Sequence, residues 1–163
     1  GEAGLEAANC NAPGQPVRSG PADRLARAEA LAREAGARRA VRLPVAGAFH
    51  SSLMQEAAAA MRPVIAGAAF SEPAFPVLSN VTGGPHEGGE ALARRMTEQI
   101  THSVRWTDNV AWMAAHGVEH VVECGPGRVL TGLVKRIDKR LRLHNMQEHS
   151  DTDAAAAALR EEG

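Results

Sequence analysis

An α/β fold with a parallel sheet is the class this sequence predicts, and three observations carry that prediction. Short apolar runs at 75–81, 118–124 and 141–146 have the length and Val/Leu content of buried strands. They alternate with segments of helical spacing at 107–116 and 129–137. The joints between them are turn residues: Thr82, Gly83, Gly84 and Pro85, then Gly117, then Gly125, Pro126 and Gly127. The chain has 163 residues, 44% of them hydrophobic, enough for one domain with a substantial core. Aromatic residues are few: Phe49, Phe70, Phe75, Trp106 and Trp112, with no tyrosine. The core must therefore be built from alanine, valine and leucine.

Taken in order, residues 8–19 alternate around Asn11, Pro13 and Gly14, which predicts a strand, a turn and a resumed strand. Pro21 and Asp23 start a helix, Leu25, Ala28, Leu31, Ala32 and Ala35 form its apolar stripe, and Gly36 stops it. The outward Arg24, Arg27 and Arg33 fit a solvated face. Residues 39–45 place Val41, Leu43 and Val45 on one face, an edge strand limited by Pro44. A helix comes next, with Ser51 and Ser52 as candidate caps and Leu53, Met54, Ala57, Ala60, Met61 and Val64 toward the core. Pro63 is expected to end or kink it near Arg62. A polar helix spans 87–100, and Thr107 is expected to cap the next one, which carries Val110, Met113 and Ala114. The tail from Gln147 contains a short helix at 154–159, expected to fray.

His50 is the residue with most chemical promise. It is released from an apolar extended segment through Gly47 and sits where a helix begins, so its ring can reach a cleft as a general base. Most histidines in such a setting are surface or satisfied core residues, and residue type alone does not decide.

The motifs around it do. Residues 47–54, Gly-Ala-Phe-His-Ser-Ser-Leu-Met, closely resemble the segment bearing the catalytic histidine of malonyl-CoA:acyl carrier protein transacylases, and more distantly polyketide synthase acyltransferase domains. Residues 9–15 (Asn-Cys-Asn-Ala-Pro-Gly-Gln), 103–106 (Ser-Val-Arg-Trp) and 122–133 (Val-Glu-Cys-Gly-Pro-Gly-Arg-Val-Leu-Thr-Gly-Leu) resemble the same family in the same order. The resemblance implies the C-terminal portion of an acyltransferase: part of a ferredoxin-like small subdomain at 1–48, the later part of an α/β-hydrolase-like sheet domain at 49–146, and a tail at 147–163. It also implies transfer of a malonyl group from coenzyme A to a carrier-protein thiol through an acyl-serine, with His50 as base and the backbone carbonyl of Gln99 orienting it. Phe49 matches the position associated with malonyl choice, although packing explains it nearly as well; Asn11 matches an asparagine beside the cleft, or is simply a turn former.

No Gly-x-Ser-x-Gly elbow occurs, and the family's oxyanion-hole glutamine and malonyl-pairing arginine cannot be placed here. The chain starts at Gly1 without methionine and enters a family motif almost at once, so it is expected to be the later part of something longer and inactive by itself. Its implied partners are malonyl-CoA, the acyl carrier protein and the N-terminal half of the same enzyme. Alternative readings are a polyketide synthase acyltransferase domain and a non-catalytic carrier-protein-binding fragment. A net charge of −1 argues against nucleic-acid or membrane partners, and a cytoplasmic location is the default. No cofactor is expected. The seven histidines lack metal-ligand spacing, and Cys10 and Cys124 are expected to be reduced core thiols.

Overall fold

The computed structural model describes residues 4–160; residues 1–3 and 161–163 lie outside the described residues. β1 (Glu6–Ala12) and β2 (Gln15–Ser19) form an antiparallel hairpin turned at Gly14, with two register shifts along it. A 3₁₀ turn then leads into α1 (Leu25–Glu34), and Gly36 ends that helix with φ of +84°. Further on come α2 (Gln55–Ala66), α3 (Gly89–Glu98) and α4 (Trp106–Ala115). The chain closes on a βαβ unit, β3 (His120–Cys124), α5 (Val129–Ile137) and β4 (Arg142–Met146), and then α6 (Asp151–Arg160). β3 and β4 pair in parallel from His120 opposite Arg142 to Cys124 opposite Met146.

The helices and the parallel pair make this an α/β fold, with its densest core beside that pair. Val110 of α4 and Val134 of α5 have no exposed surface, Leu141 is buried, and Trp106, Met113, Val121, Ile137 and Leu143 close around them. Glu123 locks the strand-to-helix turn. Its carboxylate accepts from the backbone N–H groups of Leu130 (3.0 Å) and Thr131 (2.8 Å), from the Thr131 hydroxyl and from Asn145 Nδ2. These bonds, the Thr131 N–H foremost, hold it below the usual carboxylate range. The amides that open α5 are thus occupied by the chain itself.

Several expectations are corrected. Residues 39–45 form no strand: Pro44 offers no N–H, Val45 bonds back to Leu43 O, and Val41, Leu43 and Val45 are exposed. Residues 75–81 form only one isolated bridge, Leu78 to Pro85, because Pro76 interrupts the donors and no neighbouring strand pairs there among the described residues. Pro63 does not end α2, which runs three residues further to Ala66. The carbonyl that loses its donor belongs to exposed Ala59, where water can replace the N–H. α2 buries Ala58 and Ile65, while Met61 and Val64, and Leu53 just before the helix, lie exposed. Thr107 sits inside α4, and its hydroxyl donates to Cys10 O at 2.8 Å instead of capping. Cys10 and Cys124 are free thiols as expected, but exposed. The tail helix is longer than 154–159 and packs on β4, with Ala155 buried.

Candidate functional site

The site is built where α3 ends. A helix leaves its last carbonyls without intrahelical donors, and here those at and just past the end of α3 are put to use. Glu98 O takes the N–H groups of Thr101 and His102 together with their side chains. The next two carbonyls go to one residue. Gln99 O lies 2.7 Å from Nδ1 of His50, and Ile100 O accepts the His50 backbone N–H at 3.1 Å. A carbonyl can only accept, so Nδ1 carries a proton, and in the neutral ring the lone pair is on Nε2, the tautomer a general base requires.

Holding the ring there costs the backbone an uncommon conformation. His50 has φ of +60°, the only non-glycine residue with positive φ among the described residues. Such outliers persist where surrounding contacts over-determine them. Ser51, fully buried, donates its hydroxyl back across the turn to Ala48 O at 2.6 Å. Ser52 donates both its N–H (3.0 Å) and its hydroxyl to the carboxylate of Glu6 on β1. Neither serine makes the local helix cap expected of it: their hydroxyls hold the His50 turn instead.

His50 lines an open cleft of about 480 Å³ with Glu6, Ala7, Ser52, Gln55, Thr101, His102 and Ser103. The buried hydroxyl of Ser103 has no hydrogen-bond partner in the cleft wall. β1 reaches this site by pairing with the segment after α3, through Cys10 N–H to Val104 O (2.9 Å) and Val104 N–H to Ala8 O (2.8 Å).

The structure brings two of the four expected residues together, His50 and Gln99. The Gln99 side chain is not idle, since its Oε1 accepts from Asn80 Nδ2 at 3.1 Å, and Asn80 O in turn accepts from Arg105 N–H. Phe49 adjoins His50 in sequence, but the residue is 52% exposed and its ring lies over Gly47, where an added Cβ would come 3.3 Å from it. Asn11 is half-buried on β1 and is not among the cleft-lining residues. Sequence reasoning missed Glu6, Asn80, His102 and Ser103; a glutamate in a strand and an asparagine in a turn carry no local signal of what they reach. Elsewhere, His116 stacks on Trp112, His120 bonds His144 at 3.0 Å, and among the described residues no three His, Cys, Asp or Glu side chains form a metal-binding group.

No protein-family model matches the sequence. Individual proteins do. The malonyl CoA-acyl carrier protein transacylase of Escherichia coli K12 is 42% identical over 151 residues, which is 93% of this chain and 48% of that protein. The Bacillus subtilis transacylase is 36% identical over 97% of this chain and 50% of its own length. Among solved structures, the malonyl-CoA:acyl carrier protein transacylase of Xanthomonas oryzae superposes with a TM-score of 0.89 at 40% identity, covering 94% of this chain and 49% of that one. Sequence and structure alike match the C-terminal portion of these enzymes, and the chain spans about half the length of the curated relatives it matches.

Proposed function

We propose that this chain is the base-bearing part of a malonyl-CoA:acyl carrier protein transacylase, which moves a malonyl group from coenzyme A to a carrier-protein thiol. The observation that carries the proposal is the 2.7 Å contact between His50 Nδ1 and Gln99 O in a cleft, together with the tautomer it enforces. In this reading Nε2 of His50 takes the proton of a serine hydroxyl supplied by residues outside this chain. The serine oxygen bonds to the malonyl carbonyl carbon, the coenzyme A thiolate leaves, and the imidazolium protonates it. The carrier-protein thiol then gives its proton to His50 and its sulfur bonds to the acyl carbon; the acyl–serine bond breaks, and the imidazolium returns the proton to the departing serine oxygen, which restores both groups. Gln99 O holds the imidazolium in place through both halves.

Phe49 is proposed to disfavour a methyl-branched acyl group, a selection limited to about 1–3 kcal/mol per methyl. Asn11 enters only through the family resemblance. The same reading takes residues 1–48 as part of a ferredoxin-like subdomain, 49–146 as part of an α/β-hydrolase-like domain and 147–163 as a tail, and it places the reaction in the cytoplasm. Among the described residues no helix is long and apolar enough to cross a membrane. A polyketide setting has its own support: a polyketide biosynthesis protein of Burkholderia thailandensis is 42% identical over 82% of this chain and 12% of that protein. Incubation of the chain with malonyl-CoA should give no mass gain by intact-mass spectrometry, and adding the serine-bearing segment should restore one malonyl adduct. An adduct on a serine of this chain alone would overturn the assignment of the nucleophile.

A further inference from the structure

We infer that Glu6 is a positioning residue for His50, acting through Ser52; the inference rests on the proposed role of His50 as base. The two tethers of His50, one on its ring and one on its backbone N–H, both run to the end of α3. They fix where the ring lies only if the backbone that carries it stays at φ of +60°, a conformation an L-residue leaves readily when released. The chain just after His50 must therefore be held from another direction.

Glu6 supplies that hold from β1. Its two carboxylate oxygens are divided between the two donors of one residue: Oε2 accepts the Ser52 N–H at 3.0 Å, and Oε1 accepts the Ser52 hydroxyl. A charged acceptor shared by two converging donors is stronger and more directional than a neutral single bond. The N–H it takes is also among the unpaired donors that open the helical turn Ser52–Met54, where negative charge is favoured. Both Glu6 and Ser52 line the cleft beside His50, and β1 is itself fastened to Val104 just beyond α3. The residue with strained φ is thus spanned: α3 grips its N–H and ring, and β1 grips the chain two residues later. The Ser52 hydroxyl and N–H bonds hold the Glu6 carboxyl below the usual glutamate range, as an ionised acceptor should be.

Loss of the Glu6 carboxylate should let the turn relax, lengthen the Nδ1 contact to Gln99 O and release the ring into the mixture of tautomers a free imidazole adopts. The test is made on the full 163-residue chain with ¹⁵N-labelled histidine, where ring nitrogen shifts report the tautomer of His50. The wild type should show the Nδ1–H form. Glu6→Ala should show a mixed tautomer, Ser52→Ala a smaller change because its N–H bond survives, and the double variant no more than Glu6→Ala alone. Glu6→Gln keeps one acceptor and should recover part of the wild-type signal; should Glu6→Ala fail to fold, Glu6→Gln and Ser52→Ala carry the same comparison. In the transacylase completed with its serine-bearing segment, Glu6→Ala should lower kcat by about tenfold or more with KM for malonyl-CoA little changed. An unchanged His50 tautomer in these variants would overturn the positioning role. A changed tautomer with an unchanged kcat would leave Glu6 as the holder of His50 and overturn His50 as the base.

Discussion

The His50 region and the β3–α5–β4 unit are held together by different physics. The C-terminal unit shares an apolar core with α4, where Val110 and Val134 are at 0% exposure, and the Glu123 carboxylate braces its strand-to-helix turn. The His50 region has scarcely any apolar core around its key residue. It relies on hydrogen bonds to two helix-end carbonyls and to Glu6, while the neighbouring Leu53, Met61 and Val64 remain exposed. Burial stabilises a fold without directing one atom at another, whereas directional bonds place an atom and contribute little net stability. A site that needs a ring nitrogen at a fixed point is built the second way.

Substitutions can break this contrast. On the proposed function, with the serine-bearing segment added, His50→Ala should lower the rate of acyl-enzyme formation by a factor on the order of 10² or more, measured by rapid-quench mass spectrometry, while the melting of the C-terminal unit stays put. Val134→Ala should do the reverse. It removes buried methyl groups from the core and should cost about 2–3 kcal/mol in urea unfolding, whereas Val64→Ala, on an exposed position, should stay within about 0.5 kcal/mol. Equal costs for the two valines would erase the distinction between the regions.

Smaller effects sharpen it. His50→Gly should be less destabilising than His50→Ala by about 1 kcal/mol, because both lose the ring contact and only alanine keeps the left-handed penalty. Gln99→Ala should reduce activity less than tenfold, since the carbonyl that meets His50 belongs to the backbone; a loss as large as that of His50→Ala would mean its side-chain bond to Asn80 matters as much.

The smallest effect is electrostatic. Hydrogen bonds from Arg140 lower the Asp138 pKa to about 2. A depressed folded-state pKa stabilises the fold above the unfolded carboxylate value, and that contribution is lost as pH falls toward about 2. Asp138→Asn should therefore flatten the acid limb of a stability-against-pH curve between about pH 4 and 2. An unaltered limb would show that this pair contributes nothing.

Much of the architecture was legible because it is local. Helical spacing and stop glycines delimit α1 and α4, spacing after the Gly125-Pro126-Gly127 turn marks α5, and the hairpin turn is signalled by Pro13 and Gly14. The failures share one cause. Residues 39–45 and 75–81 have strand-like composition, yet a strand exists only where a neighbour offers matching donors and acceptors, and composition does not record the neighbour. Cys10 and the exposed face of α2 fail similarly, since periodicity tells which residues share a face and not whether anything covers it.

At the site the division is just as clear. The sequence alone determined which residue type could act as base and that it stands at the start of a helix, but it ran α3 on to residue 100, two residues past its end at Glu98. The Gln99 carbonyl was reached through the family resemblance; only the tertiary structure showed that it meets His50 Nδ1, that Ile100 O takes the His50 N–H, that His50 adopts a positive φ, and that Ser52 is bound by Glu6. The reason is distance along the chain. The contacts that place the ring and its turn join residues 49 and 46 positions apart, and pairing at that range is set by how elements pack, which no local pattern of residues encodes.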